Sequence, residues 1–295
     1  MRQRRGRLDW RVLSRAASMI AMNFHFPLKA PALTIAAVML AGCMSDSPPP
    51  APSNVTASVT HAETMAVPGK SLMLAWTFDL LEGWHLYSDA RNDSGLPPEV
   101  ELELPPGWTA DPVSWPGAER LVAPGDILDH VYHDKLVLLQ RVVVGPDEKF
   151  GSEVSITAHL TWLACREACV PGDTTLTVVL QVEPHADPSL DSSAILRSFR
   201  ALPREPQEGE VILVHESGLV DVRVPGAAHV EFHPAAESAA LSDPLHDAAA
   251  DGDVLRLRIR SEAEGESVRG TLRVTSDEGI VSYLTLLIPA EGDRL

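Results

Sequence analysis

The sequence predicts an all-β protein, two β-sandwich domains joined by a short helical linker and preceded by an export signal and a tether. Three observations carry that prediction. Apolar and polar residues alternate with period two, most clearly in "VSITAHLTWLA" (154–164), where Val154, Ile156, Ala158, Leu160 and Trp162 share one face. Breakers such as "SGLPP" (94–98), "LPPGW" (104–108) and "SWPG" (114–117) separate the β-rich runs at loop spacing. Helical periodicity is best developed in a single stretch, residues 188–201.

Residues 30–42, "APALTIAAVMLAG", form an apolar run too short to cross a bilayer but suited to a signal-peptide core, with Lys29 and the upstream arginines as its basic flank. It ends in "LAGC", Leu40 to Cys43. Small residues before a cysteine let a signal peptidase bind extended backbone, and the thiol then takes the lipid. Residues 1–42 therefore read as a bacterial lipoprotein signal peptide and Cys43 as the lipidation site; the alternative is an ordinary secretory signal with a chance cysteine. Met22 gives a more usual signal length than Met1. Residues 43–60, including "MSDSPPPAPSNVTASVT" (44–60), lack an apolar period and are expected to be a disordered tether. Neither Met44 nor Ser45 is the Asp that commonly holds such proteins at the inner membrane, which favours a periplasm-facing anchor in the outer one.

The formal charge is −17; without residues 1–42, which hold seven Lys/Arg and one Asp, 17 basic residues face 40 acidic ones, a charge of −23. That argues against nucleic acid or an anionic membrane surface as partner. No segment after Cys43 approaches the ~18 apolar residues of a transmembrane helix, so the lipid is the expected membrane attachment.

The first sandwich is expected over 61–187, with strands in "SLMLAWTFDL" (71–80), "KLVLLQRVVV" (135–144), residues 154–164 and "TTLTVVLQV" (174–182). "PSLDSSAILRSFRA" (188–201) predicts a helix capped by Asp191 or Ser192, with Leu190, Ala194 or Ile195, and Phe199 on one face. "LPREPQEGE" (202–210) completes the helix-and-linker segment 188–210. Residues 211–295 hold a second, cysteine-free strand series: "VILVHE", "LVDVRVP", "HVEFHP", "VLRLRIR", "VRGTLRVTS" and "IVSYLTLLIP", with 235–253 as a long loop. Each segment is long enough for its own core.

With Cys43 lipidated, the mature chain keeps two cysteines, Cys165 and Cys169, in "TWLACREACVPG" (161–172). Outside the cytoplasm an even pair is expected to bond. A disulfide closing so few residues gains little chain entropy, which weakens a purely structural reading. The strand 154–164 delivers Cys165 to a loop tip, where an incoming thiolate can reach the pair. Three readings stay open on the residues alone: a redox pair, a structural disulfide and a metal clip. Zinc or copper would need further ligands, and the turn contains no histidine; His85, His130 and His133 could approach only through the fold.

"LEGWHLYSDARNDSGLPPEVELELPPGW" (81–108), "VYHDKLVLL" (131–139) and "WLACREACVPGDTTLTVVL" (162–180) occur in that order. Together they resemble the N-terminal periplasmic domain of the DsbD thiol:disulfide interchange proteins, including the copper-sensitivity-suppressor branch, over about residues 61–185. The matching elements are Gly83-Trp84-His85-Leu86-Tyr87, Tyr132-His133-Asp134-Lys135-Leu136 and the cysteine pair followed by Pro171. The resemblance implies an immunoglobulin-like sandwich passing electrons through Cys165 and Cys169 to or from partner proteins, with Cys169 as the partner-attacking sulfur and Cys165 as the resolving one. It implies site-lining roles for His85, Tyr87, Tyr132 and Asp134, the last as a proton-handling neighbour or a turn cap. It also implies a cap over the pair, here within "GAERLVAPGDILDH" (117–130), where Leu121, Val122, Ile127 or Leu128 replaces the aromatic tip of the best-known member. The second sandwich resembles the extra β-domain of the longer branch.

Full-length family members carry a membrane electron conduit and a thioredoxin-like domain. The expectation here is a stand-alone lipoprotein exchanging electrons with separate periplasmic or membrane-bound proteins of those kinds. No cofactor and no metal are expected. The competing functions are a cell-envelope binding module with an inert disulfide and a Cu(I)-handling lipoprotein using reduced Cys165 and Cys169. Trp76, Trp84 and Trp162 read as core or pocket walls, Trp108 and Trp115 as loop pins, and Glu101 and Glu103 as solvated residues on a strand's polar face.

Overall fold

Alternation in the sequence becomes a set of antiparallel sheets in the computed structural model, which describes residues 54–216, 218–238, 241–260 and 266–290. The signal and Cys43 lie outside the described residues. In chain order the first sandwich holds β1 (Val55–His61), β2 (Ser71–Leu80), β3 (His85–Tyr87), β4 (Glu99–Glu103), β5 (Thr109–Ala110), β6 (Glu119–Ala123), β7 (Ile127–His133), β8 (Lys135–Val143), β9 (Glu153–Cys165) and β10 (Cys169–Gln181). One sheet runs β1-β2-β8-β5; the other runs β10-β9-β3-β7-β6, with β4 also paired to β9. Residues on the inner faces meet between them: Trp76 and Phe78 from β2, Leu136 and Leu138 from β8, Ile156, Leu160 and Trp162 from β9. Phe78 meets Trp162 edge-on at 5.7 Å. Each such fully buried side chain contributes roughly 1.5–3 kcal/mol of apolar burial. The indole N–H of Trp76 donates to Gln140 Oε1 at 2.9 Å, so its polar edge does not oppose that burial.

The strand pattern begins at Val55, inside the segment expected to be tether. Val55, Ala57 and Val59 alternate toward the core, and β1 pairs with β2 along its whole length. The short side chains of "NVTASVT" hid a period of two that the sheet exposes.

The linker helix α1 spans Ser192–Phe199, shorter than expected, and Asp191 occupies the cap position without a side-chain cap bond. Only Ile195 is buried, against Ala75 and Leu139 on the outer face of the first sheet. Leu190 and Phe199, expected on the same apolar face, are exposed. A single turn of contact seats so short a helix, and Leu202 just beyond it packs against the same cluster.

The second sandwich comprises β11 (Ile212–Glu216), β12 (Leu219–Arg223), β13 (Ala227–Pro234), α2 (Pro244–Asp247), β14 (Ala249–Asp251), β15 (Val254–Arg258), β16 (Val268–Ser276) and β17 (Val281–Ile288). Sheets β11-β12-β15 and β14-β13-β16-β17 enclose a separate core around Val222, Leu255 and Leu257 on one side and Phe232, Leu272 and Leu284 on the other. The expected loop 235–253 carries α2 and β14. Asp243 accepts the His246 N–H and Pro244 opens the helix, a start signal present in the sequence.

The described residues form one compact unit, and the two sandwiches pack on each other within it. Tyr283 lies on Gly117, Arg91 N–H donates to Pro234 O at 2.8 Å, and Arg120 Nη2 donates to the carbonyl of Leu245 at 2.6 Å. His130 of β7 and His233 of β13 meet ring to ring, centroids 4.4 Å apart, both almost fully buried.

Candidate functional site

β9 and β10 form one long hairpin whose register opposes Cys165 to Cys169 across a three-residue loop, Arg166-Glu167-Ala168. The two cysteines are joined as a disulfide, with Cα atoms 4.1 Å apart. Pro171, which lacks an N–H, sits in β10, an edge strand that tolerates it. The two sulfur-bearing residues differ in access: Cys165 is 3 % exposed, whereas Cys169 and its neighbour Val170 are exposed.

β4 takes the middle of β9, leaving the end of β9 for β3, so His85 lies opposite Cys165. His85 in turn opposes His133, and Tyr87 opposes Val131. Residues directly opposite share a face, so the face of this sheet turned away from the main core gathers Cys165, His85, Tyr87, Val131 and His133. Tyr87, Val131 and Cys165 form a buried cluster, with Leu121 and Leu163 packed against it. His85 stands edge-on to Tyr87 at 5.3 Å and to His133 at 5.8 Å between centroids. Burial pushes the His85 imidazole below its ordinary pKa, His133 pushes it further, and Asp129 partly opposes both.

A second layer fixes Tyr87. Asp129, buried in β7, accepts the backbone N–H groups of Asp93 and Ser94 at 2.9 and 3.0 Å and the Ser94 hydroxyl at 2.6 Å. With its proton committed to Asp129, Ser94 Oγ is the acceptor for the Tyr87 phenol at 3.3 Å. Gly95 lies flat on the Tyr87 ring, where a Cβ would stand 2.1 Å from it. Gly95→Ala is therefore expected to lower stability by about 1–3 kcal/mol, the usual cost of overpacking. A urea midpoint equal to that of the unmodified chain would show that Tyr87 is not held in this way.

At the mouth, Arg166 Cζ lies 5.3 Å from the Trp84 ring, and Gly83, at φ +79°, makes the turn that lets them meet. A side chain at Gly83 would come within 3.2 Å of Arg166 Cδ.

The remaining expected site residues separate. Tyr132 is one residue out of phase with Val131 and His133, so it points into the main core, donates to Pro116 O at 2.7 Å and stacks on Trp115. Period-two counting along "VYHDK" carries that signal. Asp134 is a turn residue at φ +58°, exposed, with its carbonyl accepting Leu80 N–H at 2.7 Å. Most of the expected cap segment, 117–130, lies in the β6–β7 hairpin; Leu121 reaches the cysteine cluster, Ile127 is half-buried, Leu128 lies on the other side of β7, and Val122 is exposed. Of the three histidines, His85 and His133 reach the disulfide face, and His130 joins the inter-sandwich contact. Val131, Leu163, Ser94 and Asp129 carried no distinguishing sequence signal, because their roles depend on pairing between distant strands.

The family model described as thiol:disulfide interchange protein DsbD, N-terminal, matches residues 56–181. Among solved structures, the N-terminal periplasmic domain of ScsB from Proteus mirabilis aligns at 13 % identity over 81 % of this chain and 94 % of that one, with a TM-score of 0.56. It shares the fold. The reduced N-terminal domain of DsbD from Neisseria meningitidis aligns at 16 % identity over 43 % of this chain and 89 % of that one, with a TM-score of 0.24. No curated protein matches the sequence.

Proposed function

Because residues 56–181 are a DsbD N-terminal-like domain, we propose that this thiol:disulfide interchange module is a lipid-anchored protein of the cell envelope whose electrons pass through Cys165 and Cys169. The observation that carries the assignment of the pair is its asymmetric access, a buried Cys165 bonded to an exposed Cys169 at a hairpin tip. A partner thiolate attacks Cys169 Sγ, a partner–Cys169 disulfide forms, and the electron pair of the broken S–S bond leaves on Cys165. A second partner thiolate then attacks the partner sulfur of that mixed disulfide and releases Cys169 reduced. Run backwards, the same steps oxidise the chain and reduce the partner. Leu121, Val131 and Tyr87 shield Cys165, so attack is directed to one sulfur.

The test is reaction of the oxidised chain with a reduced thioredoxin-like protein. Two free thiols per chain are expected without denaturant. A disulfide that yields only after unfolding would favour the inert binding module.

Anchoring through Cys43 is supported by the "LAGC" junction after an apolar core. Cys43→Ser should move the protein from the detergent phase to the aqueous phase in cell fractionation, and retention in the detergent phase would remove the anchor. Partners are then envelope proteins bearing exchangeable dithiols, which fits the charge of the chain better than nucleic acid does.

A further inference from the structure

Exchange leaves a proton to be managed at a sulfur that water scarcely reaches. Cys165 is enclosed by Tyr87, Val131, Leu121 and Leu163. A thiolate in such surroundings is disfavoured, so the reduced residue rests as a thiol and must lose its proton when it attacks. Candidate acceptors on this face are few. Asp129 already accepts three hydrogen bonds from Asp93 and Ser94. Tyr87 is committed to Ser94. Arg166, drawn over Trp84, cannot accept. Glu119 pairs with His133 at 3.4 Å. His85 is directly opposite Cys165 in the ladder, and among the described residues neither of its ring nitrogens has a hydrogen-bond partner.

We propose that His85 is the proton acceptor for Cys165 when Cys165 resolves a mixed disulfide on Cys169. The inference rests on the exchange reading above and adds a residue to it. The Cys165 S–H proton passes to the neutral imidazole as the sulfur attacks Cys169 Sγ. The Cys165–Cys169 bond forms, the bond from Cys169 to the partner sulfur breaks, and the partner leaves as a thiolate. In the opposite direction the imidazolium returns the proton to Cys165 as that sulfur departs. The low His85 pKa, set by burial and by His133 against the smaller opposing influence of Asp129, keeps the ring neutral and ready to accept at pH 7.

Equimolar 5,5'-dithiobis(2-nitrobenzoate) reads this step in the reduced chain. The first thionitrobenzoate reports labelling of Cys169, and the second reports its displacement by Cys165. The second-phase rate is expected to level off above about pH 6.5, where a histidine base is neutral, instead of climbing to the free-thiol range of about 8.5. His85→Gln should lower the ratio of second- to first-phase rate about 10²-fold at pH 7 and restore the climb. An unchanged ratio and profile would overturn the assignment. If the variant fails to fold, the wild-type profile decides alone: levelling supports His85, and a rise continuing to about pH 8.5 overturns it. A wild-type chain that labels once and releases no second equivalent would instead sink the exchange reading, and this inference with it.

Discussion

Cys165→Ser is expected to trap partner proteins on Cys169 as long-lived mixed disulfides. The exposed Cys169 keeps its thiol and its access, while the buried sulfur that would displace the partner is gone. Turnover falls to background, and mixed disulfides accumulate that disappear on reduction. Cys169→Ser should behave differently: the remaining thiol sits beneath Tyr87, Val131 and Leu121, so neither capture nor turnover is expected. Either variant should stay folded, because the chain-entropy gain from a loop of three intervening residues is only about 2 kcal/mol, against ~3 kcal/mol for a 15-residue loop. Non-reducing gels of envelope extracts incubated with each variant check the pair of outcomes. Capture by Cys169→Ser but not by Cys165→Ser would reverse the roles. Unfolding of both would make the disulfide a staple.

Acid is expected to loosen the junction between the sandwiches. Burial holds His130 far below its ordinary pKa, at about 3, and His233 adds to the effect; the Arg91 carbonyl, 2.8 Å from Nδ1, opposes it only in part. His130 Nε2 has no partner among the described residues, so a proton there would be unpaired. His233 is lowered for the same first reason, burial, although Glu231 lies 3.5 Å from its Nε2. Arg120 disfavours a second positive charge on either ring, and Arg273 does so on His233. Both folded pKa values lie below the unfolded value of about 6.5, so the stabilisation is complete above that pH and is lost as pH falls toward the folded values. For His130 alone the loss reaches roughly 3 kcal/mol by pH 4.5. Glu231 reinforces the trend at lower pH. Burial would raise its pKa, but the His233 ring 3.5 Å away, the Arg273 guanidinium and the hydrogen bond with His229 bring it to about 2, so its contribution is lost below about 4.5. A lower urea midpoint at pH 4.5 than at 7.5, with earlier proteolytic cleavage within 202–210, is the expected result. His130→Leu with His233→Leu should flatten the dependence. Equal midpoints at both pH values would contradict it.

What the sequence made legible follows from period and spacing. The strand at 71–80 coincides with β2, and the alternation of 154–164 gives the inner face of β9 correctly, because each depends on residues close in the chain. The cysteine tip was visible for the same reason. Tyr132 entered the expected site by motif membership, and period two sends it to the opposite face. β1 was missed because Thr, Ala and Ser carry weak apolar contrast; the helix was drawn too long because Leu190 and Phe199 fit a helical stripe that only Ile195 uses. The network of Asp129, Ser94 and Gly95 around Tyr87, and the meeting of His130 with His233, join residues from separate strands and separate sandwiches. No local pattern encodes those meetings.

The reduction potential of the Cys165–Cys169 pair, measured by equilibrating the folded chain in glutathione buffers, tests the central claim most directly. An exchange site at a hairpin tip is expected to lie above about −300 mV, within reach of thioredoxin-like partners at about −270 mV and of glutathione buffers. A potential below about −300 mV in the folded chain would place the pair among structural disulfides and contradict the account.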